Sequence, residues 1–127
     1  MLKELTIQML SREVRNHFGS LSSGAGVMLD QAIEEGCFDI AIEAYLLGSR
    51  FSRFGYYGES ADQVKERSIH EMEQLSQALY DFIQFWTNIR LEQKEDETLM
   101  IKCEQFVNDW WMEGFHRGRK KYKLKLH

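Results

Sequence analysis

Residues 29–51 read LDQAIEEGCFDIAIEAYLLGSRF, and this stretch decides the fold. Its apolar positions Leu29, Ile33, Cys37, Ile40, Ala44, Leu47 and Phe51 recur at helical intervals, marking one face of an α-helix. Between Phe38 and Leu47 only Asp39 and Glu43 are polar. A buried strand runs for roughly four to eight residues, so an apolar pattern of this length reads as helix. At about 100° per residue, Asp39, Glu43 and Arg50 fall within about 40° of one another. That narrow polar stripe implies a helix buried over most of its circumference, central to its neighbours. Asp39 and Glu43 are then a candidate buried polar pair, one turn apart. They are either a structural stripe paired with Arg50 or an acid/base pair of shifted pKa.

Outward from this segment the same period continues. Ile7, Leu10, Val14 and Phe18 give a first helix over about 2–18, and GSLSSGAG (19–26) is a glycine- and serine-rich connector. The central helix is expected over 27–53, with a bend allowed at Gly36. A third starts at Ser60, where Ser60 and Gln63 form an S-x-x-Q capping box, and runs to about 89 through Val64, Ile69, Met72, Leu75, Leu79, Phe82, Ile83 and Trp86. After the charged stretch RLEQKEDE (90–97), a fourth is expected over about 98–118, with Leu99, Cys103, Phe106, Trp110 and Gly114 on one stripe. At average usage a chain of this size would hold roughly six prolines. It holds none, so the commonest helix breaker is missing throughout. The fold class is all-α, a bundle of four main helices with the second central.

At 127 residues the chain makes one domain, expected over 1–116, followed by a basic tail, 117–127. With 43% hydrophobic and 28% charged residues it is globular rather than disordered. The start, MLKELTIQML, carries charge where a signal peptide needs an apolar run, and no 18-residue apolar stretch occurs. A cytoplasmic location is therefore expected. Cys37 and Cys103 both sit in apolar helical patterns and read as reduced, buried thiols. The last eleven residues, RGRKKYKLKLH, hold six of the 16 Lys/Arg and none of the 20 Asp/Glu, which leaves the preceding 116 at a net −10. An acidic body with a basic end is the main electrostatic fact of the sequence.

The stretch 50-RFSRFGYYGES-60 has two readings. As a helix ending, Phe51 continues the buried stripe, Gly55 is a left-handed cap, Tyr56 and Tyr57 cover the end of the core, and Gly58 permits the turn. As a binding surface, Arg50, Arg53, Tyr56 and Tyr57 supply charge and stacking faces, to which the tail would add Arg117, Arg119, Lys120, Lys121 and Lys123. The tail has four further readings: contact with an anionic membrane, docking on the acidic body within the chain or in a dimer, pairing as an extended arm through alternating Tyr122, Leu124 and Leu126, or plain solvation. The acidic body itself disfavours duplex DNA. Trp110 and Trp111, beside Phe106 and Phe115, either seal the bundle end or place one indole at an interface.

The string 39-DIAIEAYLLGSRFSRFGYYGES-60, with 106-FVNDWWMEGF-115 and the basic end closing on Leu126 and His127, resembles a small family of uncharacterised proteins from Bacillus and its relatives, the YbaK-like family. It is unrelated to the enterobacterial tRNA-editing protein of that name. The resemblance extends over most of the chain and implies a cytoplasmic helical protein with no catalytic residues to carry over.

Chemical constellations are sparse. A carboxylate-bridged metal site in a helical bundle wants inward-facing Glu and Glu-x-x-His motifs. The chain has one, Glu113-x-x-His116, a reversed one at His70 and Glu73, and Glu43 as a third contributor. The histidines point about 150–160° from the apolar stripes of their helices, so no metal site or cofactor is expected. No G-x-S-x-G, phosphate loop or C-x-x-C occurs. The first functional expectation is a non-enzymatic interaction or regulatory protein whose partner is another protein or a second copy of itself. The second is a nucleic-acid-binding accessory protein using 50–58 and the tail. A metal-dependent enzyme around Glu43, Glu113 and His116 comes third.

Overall fold

A computed structural model describes residues 27–87 and 96–126. The helix expected over 2–18, the connector at 19–26 and most of the charged turn at 90–97 lie outside the described residues. Within them all regular structure is helical, in five elements: α1 (Val27–Arg50), α2 (Ser52–Tyr56), α3 (Ala61–Arg67), α4 (Ile69–Thr87) and α5 (Asp96–Leu126).

The spine is α1 against α5, the most extensive contact between elements, with α4 packed on both. Small residues make the approach close. Ala41, Ala44, Tyr45 and Gly48 of α1 are buried, as are Phe106, Val107, Trp110, Trp111, Gly114 and Phe115 of α5. A β-carbon on Gly48 would land on the carbonyl oxygen of Trp111, and one on Gly114 on that of Tyr45. Two backbones in contact, rather than two layers of side chains, hold this crossing. Met72, Ser76, Leu79 and Ile83 then turn the buried face of α4 toward the spine at helical spacing.

Three expected helices change their bounds. The helix expected over 27–53 stops at Arg50 and resumes at Ser52. At Phe51 the backbone tightens (φ −90°, ψ 0°), and the Ser52 hydroxyl donates to the Ser49 carbonyl at 2.6 Å, an alternative to the helical ladder. The helix expected over 60–89 divides at Ser68, whose hydroxyl accepts from Trp111 Nε1 at 3.1 Å. The helix expected over 98–118 continues to Leu126, about 46 Å in all. Residues 117–126 are therefore helical, and an extended arm is not what they form.

The turn after α2 also differs from expectation. Gly55 is helical and buried, its missing side chain leaving room for the Phe115 ring. Gly58 is the left-handed residue (φ 109°), and Gly58 N–H to Gly55 carbonyl with Glu59 N–H to Phe54 carbonyl, both 3.1 Å, complete a Schellman ending. The expected capping box follows directly: Gln63 N–H donates to Ser60 Oγ at 3.2 Å and Ser60 N–H to Gln63 Oε1 at 2.8 Å. Gly36 sits within α1 facing the Phe82 ring.

Candidate functional site

Two cationic, aromatic segments far apart in sequence meet where α2 lies on the C-terminal half of α5. Gly55 rests on Phe115 and on the stem of Arg119, and Gly118 faces Ser49 and Ser52. Beyond them, Tyr56, Tyr57 and Tyr122 form a mutual edge-to-face cluster with ring centroids 5.1–5.9 Å apart. The hydroxyls of Tyr57 and Tyr122 share a hydrogen bond at 3.2 Å across 65 residues of sequence. That bond pushes the Tyr57 phenol above its ordinary pKa, since losing the proton would place charge against the Tyr122 oxygen. Tyr57 is nevertheless 69% exposed. Its hydroxyl is engaged and its ring is held at the surface.

Cations surround this cluster. Arg50 closes α1 and Arg53 lies in α2, four residues before Tyr57, and both arginines are exposed. On α5, Arg119 and Lys123 are also exposed and lie about 60° and 100° to one side of Tyr122 around the helix axis, whereas Lys121 lies about 100° to the other. Among the described residues none of these four cations is in an ion pair. Beneath the surface, Phe54 is flanked by the guanidinium of Arg53 at 5.0 Å and that of Arg67 at 4.0 Å. Glu59 grips Arg67 in a bidentate pair at 2.9 and 2.6 Å, which lowers the Glu59 carboxyl below its ordinary value. The stack of Trp111 on Phe115 (5.1 Å, 10° between planes) backs the whole assembly.

The remaining predicted cations point elsewhere. Arg117, Lys120 and Lys121 line an open cleft of about 530 Å³ with Glu113, His116 and Leu124 on another side of α5, where Arg117 Nε bonds Glu113 Oε1 at 2.6 Å. The predicted tail residues are thus split by helical geometry. Arg119 and Lys123 belong to the tyrosine face; Arg117, Lys120 and Lys121 do not.

Asp39 and Glu43 are both exposed, correcting the expectation of a buried pair. With Glu35 they form a surface stripe, because α4 and α5 occupy other sides of α1. Glu43, Glu113 and His116 are not drawn together: among the described residues no three metal-ligating side chains cluster. Trp110 and Trp111 are both buried, so neither indole is at the surface. Cys37 and Cys103 are free and fully buried, and burial pushes each thiol up to about 12. Such thiols are poor nucleophiles. Glu59 and Arg67 are members of the face that sequence reasoning leaves outside it, while Phe54 and Tyr122 fall within the segments 50–58 and 117–127 without being singled out. The one signal for Tyr122 is the alternation of Tyr122, Leu124 and Leu126 with Lys123 and Lys125, which reads as an extended arm. Arg67 and Glu59, eight residues apart across a turn, gave none.

The fold and the face define an all-helical protein with a cationic, tyrosine-rich surface. Among the described residues no helix is long and apolar enough to cross a membrane. The chain belongs to the family described as "Protein of unknown function (DUF2521)", whose model matches residues 1–127. It is 36% identical over 126 residues to "Uncharacterized protein YbaK" of Bacillus subtilis (strain 168), a match that covers 99% of this chain and 85% of that relative. No solved structure matches it.

Proposed function

We propose that the chain is a non-enzymatic interaction protein of the cytoplasm that engages an anionic surface through Arg50, Arg53, Tyr56, Tyr57, Arg119, Tyr122 and Lys123. The observation that carries this reading is the Tyr57–Tyr122 hydroxyl bond, which joins both cationic segments into one surface. The frame is a bundle of four main helices, the first predicted from sequence over 2–18. Self-association is one form of the reading, since residues 1–116 carry a net −10 and a second copy would offer the opposite charge.

The test is salt elution from immobilised heparin. Wild-type protein is expected to be retained at low salt, and Arg53→Glu/Arg119→Glu to elute markedly earlier. Identical elution of the two proteins would rule the face out as a contact surface.

A further inference from the structure

From the geometry we infer that the occupant of this face is a single-stranded nucleic acid, with Tyr57 as the platform on which a base stacks. The inference rests on the reading of the face given above and deepens it.

Tyrosine at protein–protein contacts commonly works as an apolar body with a polar handle, its hydroxyl reaching the partner. Here that hydroxyl is already bonded to Tyr122. What Tyr57 still offers is a ring surface, 69% exposed and fixed by edge contacts with Tyr56 and Tyr122. That ring surface, exposed over most of its area and held by its neighbours' edges, is what a flat partner would stack on. The four exposed cations around it supply the charge that a phosphate backbone needs, two from α1–α2 and two from α5. Aromatic platforms within a cationic surface are the general means of holding single strands without reading sequence. A duplex fits poorly: its bases are already stacked, and its charge density would meet the field of the acidic body.

The experiment is fluorescence anisotropy of a labelled 12-nucleotide oligouridine RNA titrated with the full chain. A DNA duplex of the same length and polyglutamate serve as competitors. We expect the RNA to bind with a log affinity that falls against log salt at a slope of about −3, and Lys123→Ala to reduce that slope by about 0.7. Tyr57→Ala is expected to weaken binding about tenfold, as loss of one base stack does. Tyr57→Phe should lose less than Tyr57→Ala, because it keeps the ring and gives up only the bond to Tyr122. Duplex should compete poorly. If Tyr57→Ala binds as tightly as wild type, or polyglutamate competes as well as the RNA itself, the nucleic-acid inference is overturned. The same holds if no RNA binding occurs at low salt. In each of those cases an earlier heparin elution of Arg53→Glu/Arg119→Glu would leave the face standing as a contact for an acidic protein. Elution unchanged by the double reversal would remove both.

Discussion

The indole Nε1 of Trp111 donates to the hydroxyl of Ser68 at 3.1 Å, joining two fully buried residues 43 positions apart. Ser68 is the joint between α3 and α4, where the Met72 N–H still reaches the Ser68 carbonyl at 3.0 Å. The break in the helix and the seating of the indole are therefore one feature. Arg67, the residue before this joint, lies with its guanidinium 4.0 Å from the Phe54 ring centroid. Ser68→Ala should cost about 1–3 kcal/mol, the penalty for a buried donor left without a partner. Chemical denaturation would show it, and a cost near zero would mean that the hydroxyl does not hold the joint.

The crossing of α1 and α5 predicts intolerance to a single methyl group. Gly48→Ala and Gly114→Ala each aim a β-carbon at a backbone carbonyl, which no rotamer change relieves. Each should cost about 3 kcal/mol or more, at the upper end of overpacking effects. Leu79→Ala, a fully buried large-to-small change on α4, should cost about 2–5 kcal/mol. A thermal melt of each variant checks both; wild-type midpoints would mean that the helices cross elsewhere.

Thiol chemistry follows from burial. With Cys37 and Cys103 both pushed up to about 12, native protein at neutral pH should react with neither in a timed Ellman assay, and both should react once denatured. The linkage has a definite sign. An acid whose folded pKa is raised contributes stability that is present below its ordinary value and lost as pH rises toward the folded one. Stability should therefore fall between about pH 9 and 12. Replacing both cysteines by alanine should flatten that fall.

Glu59 has the opposite sign. Arg67 holds its carboxyl low, so the pair contributes above the ordinary carboxylate range and is lost as pH falls through the lowered value. Carbon NMR of the Glu59 carboxyl should titrate below a free glutamate, and Arg67→Ala should return it to the ordinary range.

Much of the helical fold was legible because apolar spacing is written locally. The stripe from Cys37 to Leu47, the Ser60/Gln63 box and the buried positions Leu79, Cys103 and Phe106 all follow from period and capping chemistry. The break at Phe51 turns on the Ser52–Ser49 bond, which the apolar period does not report, and that at Ser68 was not legible, since it depends on a partner distant in sequence, Trp111. Gly55 and Gly58 exchanged roles for the same reason. Either glycine could turn the chain, and the Phe115 ring lying over Gly55 is invisible from residues 50–60. For the candidate face, the residue types were readable, while their division between two sides of α5 required knowing that the helix runs on to Leu126.

The most direct test of the central claim, that this surface holds an anionic partner, is size-exclusion chromatography with light scattering on freshly purified protein at low and high salt, following absorbance at 260 and 280 nm. At low salt the particle should be heavier than one chain, with excess 260 nm absorbance, and high salt should strip both mass and absorbance. A clean protein spectrum with a mass indifferent to salt would contradict that claim.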